Sequence, residues 1–139
     1  MKILLLIRGA PGSGKTTIAR ALVMDYLFDK HYEADQFFVG PEGYKFVPER
    51  IPQAHKWCQF NVDEAMREGH NVVVSNTFTE FWQMEPYYKL AVKHEYQVQE
   101  MILTEPIFKN THGVPQEKVD AMQNRLWRSL KRCYDGAFE

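Results

Sequence analysis

The sequence predicts an α/β fold with a mainly parallel sheet flanked by helices. Three observations predict it. The apolar run Ile3 to Ile7 shows no alternation, the habit of a central strand buried on both faces. A glycine-rich loop and then a helix-forming segment follow it directly. Strand-like and helix-like segments alternate through the rest of the chain.

A chain of 139 residues is expected to form one domain, 1–139, large enough to bury a sizeable core. Hydrophobic residues at 45% and aromatics at 14% fit that expectation. A net charge of −1 argues against a broad nucleic-acid-coating surface, while leaving room for a local basic patch. Cys58 and Cys133 match no metal or redox spacing and read as free, buried thiols in a reduced, cytoplasmic setting. The apolar start is too short for a signal peptide or a membrane span, so no membrane partner is expected. On oligomeric state the sequence is silent.

Taken in order, the first helix starts after the glycine loop and is expected to bury Ile18, Ala19, Leu22, Tyr26 and Leu27. A short second strand includes Tyr32 to Ala34 and delivers Asp35 at its carboxyl end, the edge that faces the ligand crevice. Gly40, Pro41 and Gly43 then mark a small hairpin-like excursion carrying Tyr44, Phe46 and Val47. Glu49 to Glu68 reads as a long helix, with Pro52 in its first turn, Gly69 at its end, and a stripe of Ile51, Ala54, Cys58, Val62, Ala65 and Met66. Asn71 to Ser75 is the third strand, with Asn76 and Thr77 at its end. Phe81 to Lys93 is helical with an irregularity at Pro86, and Tyr96 to Leu103 is the fourth strand. Pro106 to Pro115 is a polar connection, and Gln116 to Tyr134 forms the last helix.

The loop is Gly9-Ala10-Pro11-Gly12-Ser13-Gly14-Lys15-Thr16, followed by Thr17, and it fits the phosphate-cradling pattern G-x-x-x-x-G-K-[ST]. Glycines let the backbone turn its N–H groups inward to form an anion nest above the helix start. Lys15 supplies a charge for the β- and γ-phosphates, and Thr16 a hydroxyl for Mg²⁺. A nucleoside triphosphate is therefore the expected ligand.

Phosphoryl transfer needs further parts: a base, a metal ligand and a cationic lid. Asp35 is the candidate base, the alternative being a capping or turn aspartate. The strand ending at Val74 delivers Ser75 and Asn76, not a carboxylate, so the metal is expected to rest on Thr16, phosphates and waters. Lys109, in the region of about 105–115, is the lid candidate, with Arg125 the favoured cation of the last helix and His112 a partial one. Phe37, Phe38, Tyr44, Phe46, Trp57, Phe78 and Trp82 crowd the acceptor side, either stacking on a nucleic-acid base or packing in the core.

With these residues assembled, the chain resembles the polynucleotide 5′-hydroxyl kinase group of P-loop kinases. That group includes the kinase domain of bacteriophage polynucleotide kinase and animal proteins that bind ubiquitin ligases. The resemblance runs over nearly the whole chain. It is carried by Arg8 to Thr17, Ala34-Asp35-Gln36-Phe37-Phe38, Ala54-His55-Lys56-Trp57-Cys58, Ser75-Asn76-Thr77, Trp82 to Tyr87 and Asn110-Thr111-His112-Gly113-Val114. It implies a single-domain P-loop kinase fold, ATP and Mg²⁺ as cofactors, Asp35 as general base and Lys15 on the donor phosphates. It also implies a nucleic-acid acceptor, either a 5′-hydroxyl end or a hydroxymethylated base, contacted by Asp35, Phe38, Asn76 and Thr77. Two positions depart from the bacteriophage pattern: Phe38 stands where an arginine contacts the nucleic acid, and the lid carries less arginine. The rival readings are a kinase for a nucleoside or other small molecule, and an ATP-binding module that transfers nothing.

Overall fold

The computed structural model describes residues 2–103 and positions 117, 118, 120–122, 124, 125 and 128. Its centre is β1 (Ile3–Gly9), flanked in parallel by β5 (Val72–Asn76) on one side and β6 (Gln97–Leu103) on the other. β2 (Lys30–Tyr32) adds to the outside of β5, giving the parallel order β2-β5-β1-β6. β3 (Val39–Gly40) and β4 (Gly43–Tyr44) form the expected excursion, a separate antiparallel hairpin.

Side chains alternate across a strand, so β1 feeds two cores. Leu5 and Ile7 pack with Val73 and Ala19 on the face covered by α1 (Lys15–Met24). Leu4 and Leu6 face the other way, into a larger core with Cys58, Val62, Met84 and Tyr87 from α2 (Ile51–Arg67) and α3 (Phe81–His94). Two-sided burial is the reason β1 and β5 open on unbroken apolar runs, Ile3 to Ile7 and Val72 to Val74.

Several boundaries differ from the sequence expectation. α1 stops at Met24, because Asp25 ends it and Tyr26 takes a left-handed φ of 61°. Leu27 N–H then bonds the Leu22 carbonyl and Tyr26 N–H the Val23 carbonyl, a Schellman closure. Tyr26 and Leu27, expected in the core, are 93% and 63% exposed as a result. α2 and α3 end with the same pair of bonds, through Gly69 and Glu95. Only Gly69 announces its closure by residue type. Ile51 begins α2 on its exposed side, while the rest of the expected stripe is buried.

β2 ends two residues earlier than expected. A single-turn 3₁₀ helix, Ala34–Phe38, therefore carries Asp35. α3 runs unbroken through Pro86. The expected lid of about 105–115, with Lys109 and His112, lies outside the described residues, as does Cys133. The described positions from 117 onward are helical, in agreement with the expected last helix. No helix among the described residues is long and apolar enough to cross a membrane.

Candidate phosphate-binding and acceptor cleft

β1 ends at Gly9, where the chain must pass close to its own loop. A Cβ on Gly9 would lie 2.5 Å from Ser13 Oγ and 3.1 Å from the Leu103 carbonyl oxygen, so only glycine fits. Gly12 and Gly14 hold φ values of 86° and 96°, a region that costs a side chain about 1–2 kcal/mol. Gly14 is the N-cap of α1. It brings no capping side chain, and the first turn holds no acidic residue. The first-turn N–H groups are thus left for an anion, and the helix dipole favours one there. Lys15 Nζ rests on the Ala10 carbonyl at 3.3 Å, folded over the loop it serves. Burial lowers its pKa, against the pull of the Glu33 and Asp35 carboxylates, which raises it.

The segment after the neighbouring strand is fixed to this loop by hydrogen bonds to two of its carbonyls, one from a backbone N–H and one from a side chain. Gly9 N–H donates to the Thr77 carbonyl at 3.2 Å, and Arg8 Nε donates to the Phe78 carbonyl at 3.0 Å. Arg8 is itself buried and paired with Glu100 at 3.2 Å, while Tyr88 also donates to Glu100. Phe78 sits at φ 45°, unusual for a bulky residue, and is locked by burial against Tyr87.

Glu33 is the residue that sequence reasoning missed. Its Oε2 accepts from the Thr16 hydroxyl and from the Ser75 hydroxyl, each at 2.8 Å. Ser75 thereby spends its proton, so His31 Nε2–H donates to Ser75 Oγ at 2.6 Å. Burial pushes the Glu33 pKa up, but hydrogen bonding and charge from His31, with the Thr16 and Ser75 hydroxyls, outweigh it and bring it down to about 2. A carboxylate held in its ionised form at neutral pH therefore sits beside the loop threonine, where the third strand offers none. No spacing in the sequence marks it, since Asp35 falls in the 3₁₀ turn, outside the strand that carries His31.

Asp35 faces the same cleft. Tyr44 of the hairpin donates to Asp35 Oδ1 at 3.4 Å, and burial together with the Asp35 charge raises the tyrosine to about 12. Asn76 does not reach into the cleft as a free ligand. Its Oδ1 accepts from Ala34 N–H at 2.9 Å and its amide lies 3.9 Å from Cys58 Sγ. It therefore clamps the turn that presents Asp35. Replacing it (Asn76→Ala) strands a buried N–H and is expected to cost about 1–3 kcal/mol, read as a lower urea midpoint with an unchanged m-value.

Phe38 is 7% exposed and packs on Phe46, Phe37 and Tyr44, so it shapes the cleft wall from within the core. Together Lys15, Thr16, Glu33, Asp35, Asn76 and Thr77 surround a cavity of about 190 Å³ at the carboxyl edge of the sheet. Met122 also lines it, whereas Arg125 is exposed and is not among its lining residues. The described residues contain no group of three or more His, Cys, Asp and Glu able to hold a metal unaided. The Thr16 hydroxyl and Glu33 carboxylate are, however, the hard oxygen donors that suit Mg²⁺ completed by phosphates and waters.

A glycine nest, a lysine and two carboxylates at the carboxyl edge of a parallel sheet define a P-loop kinase fold. Solved structures share it. A chain of the Pnkp1/Rnl/Hen1 RNA repair complex superposes with a TM-score of 0.76 at 17% identity, over 94% of this chain and 46% of that one. A putative kinase from Chloroflexus aurantiacus superposes with a TM-score of 0.62 at 17% identity, over 98% of this chain and 69% of that one. In sequence, residues 4–126 match the family described as AAA domain (AAA_33), and the chain belongs to that family. Human NEDD4-binding protein 2 is 33% identical over 138 residues, which cover 91% of this chain and 8% of that protein. Rat 2',3'-cyclic-nucleotide 3'-phosphodiesterase is 29% identical over 109 residues, 76% of this chain and 24% of that protein. The chain thus spans only a minor part of either relative.

Proposed function

We propose that this chain is an ATP-dependent kinase that transfers the γ-phosphate to a nucleic-acid hydroxyl, at a 5′ end or on a hydroxymethylated base. One observation carries the reading: Lys15, the Thr16–Glu33 pair and Asp35 converge on a single cleft beside an uncapped helix start. The glycine loop and Lys15 hold the triphosphate. Thr16 and Glu33 would hold Mg²⁺, which would supply positive charge to neutralise the transferring group. Asp35 orients the acceptor hydroxyl and takes its proton. The acceptor oxygen bonds the γ-phosphorus as the bond to the bridging oxygen breaks, and ADP departs with that electron pair.

Lys109 and Arg125 serve as lid cations in this proposal, and Arg125 follows Met122, a cleft residue, by one helical turn. The whole of 1–139 is read as one kinase domain in a reduced, cytoplasmic setting, to which the buried free thiol of Cys58 is suited. A nucleic-acid acceptor is supported by the fold shared with a chain of an RNA repair complex.

The test is parallel transfer of labelled γ-phosphate, with Mg²⁺, to a 5′-hydroxyl oligonucleotide, to DNA with hydroxymethylated bases and to a nucleoside mixture. Label on either nucleic acid is expected. Label on nucleosides alone would move the acceptor to a small molecule. No label on any, with ATP still bound, would overturn the kinase reading.

A further inference from the structure

Behind the phosphate cleft lies a second, larger cavity of about 490 Å³, between the N-terminal turns of α2 and α3. The two cavities are neighbours that share a boundary, since Ile51, His55, Asn76 and Thr77 line both. They differ in chemistry. The first carries Lys15, Glu33 and Asp35, whereas no lysine, arginine or carboxylate lines the second among the described residues. Its wall is apolar and aromatic, from Pro52, Pro86 and Trp82, with neutral polar groups from His55 and Gln59. Neither His55 nor Gln59 has a side-chain hydrogen bond among the described residues, so their donors and acceptors are uncommitted.

Trp82 is the telling residue. It is 67% exposed on the first turn of α3, although the nearby core has taken Phe78 and Tyr87. A large indole left at the mouth of an uncharged cavity offers a flat face and excludes a polyanion in favour of a ring. Phosphate backbones call for cations, which this wall lacks. Heterocyclic bases call for a π-surface and a few neutral hydrogen-bonding groups, which it has. Burial also lowers the His55 pKa, against the Asp35 charge that raises it, which favours a neutral imidazole able to donate and accept.

We propose that this cavity is a nucleobase subsite, in which the ring that carries or adjoins the accepting hydroxyl stacks on Trp82 while the hydroxyl itself reaches Asp35 across the boundary that the two cavities share. The assignment rests on the kinase reading for its direction, but the ring site can be tested without transfer.

The experiment uses the full chain with Trp82→Ala and Trp82→Phe variants, and 5′-hydroxyl oligonucleotides whose terminal nucleotide is intact or abasic. Trp82→Ala is expected to raise the acceptor KM roughly 5- to 100-fold with the ATP KM unchanged, and Trp82→Phe to restore most of it. The abasic acceptor should lose the same factor against the native chain and nothing further against Trp82→Ala. If transfer proceeds and the abasic penalty persists in Trp82→Ala, the subsite is overturned and the kinase reading stands. In parallel, adenosine and cytidine are titrated against tryptophan fluorescence in the native chain and in Trp82→Phe. Quenching confined to the native chain supports the subsite even if no acceptor is phosphorylated, in which case only the kinase reading falls. Absence of both quenching and transfer overturns the two together.

Discussion

Asp35→Ala is expected to lower phosphoryl transfer by roughly 10²- to 10⁴-fold while leaving ATP affinity within about threefold of the native chain. The carboxylate sits in the 3₁₀ turn after β2, not in the glycine loop, so removing it leaves the loop, Lys15 and the Thr16–Glu33 contact in place. The turn itself is held by Asn76 through Ala34 N–H and by Gln36, whose Oε1 accepts from Glu33 N–H at 3.3 Å. Neither contact involves the Asp35 side chain, so the fold should survive. The loss should appear in kcat at saturating acceptor, because a general base acts only in the transition state. A variant that lost ATP binding in step with transfer would show that Asp35 supports the loop instead.

The second large effect concerns Glu33→Gln. A glutamine carbonyl can still accept from Thr16 and Ser75, but it carries no charge for the cation. The Mg²⁺ concentration for half-maximal transfer is expected to rise roughly 10- to 100-fold. The same substitution should alter the acid limb of stability. In the native chain the folded-state pKa of about 2 lies below the ordinary value of 4.5, so the unfolded state binds the proton first as pH falls. The stabilisation is complete above about pH 4.5 and is lost on the way down to about pH 2, by on the order of 2–3 kcal/mol. Urea midpoints measured from pH 6 to pH 2 should therefore fall less steeply in Glu33→Gln than in the native chain. Parallel curves would remove Glu33 from the account of acid sensitivity.

The parts of this molecule that a reader of the sequence can find are those set by local chemistry. β1 and β5 declare themselves because burial on both faces forces unbroken apolar runs, and the phosphate loop because its close approaches demand glycine. The hairpin follows from Gly40 and Gly43, and α2 from its stripe, its early proline and Gly69. What stays hidden is decided at a distance or by an atypical residue. α1 closes through Tyr26 and α3 through Glu95, left-handed positions without glycine, so periodicity alone carries α1 too far. The metal-side carboxylate is invisible as a pattern because it is assembled from Thr16, Glu33 and Ser75, which only the parallel pairing of β2 beside β5 brings together. Asn76 shows the same limit. Its position at a strand end is legible, but its partner is a backbone N–H of another element, and that makes it a clamp.

The central claim is that the γ-phosphate leaves ATP for an acceptor hydroxyl, and stoichiometry tests it most directly. The native chain is incubated with ATP, Mg²⁺ and an oligonucleotide that carries both a 5′-hydroxyl end and hydroxymethylated bases, and both ADP and phosphorylated oligonucleotide are quantified over the same time course. The account predicts one phosphoryl group gained by the oligonucleotide for each ADP formed, with both products suppressed together in Asp35→Ala. ADP accumulating with no phosphorylated oligonucleotide, or ATP bound and returned unchanged, would contradict it.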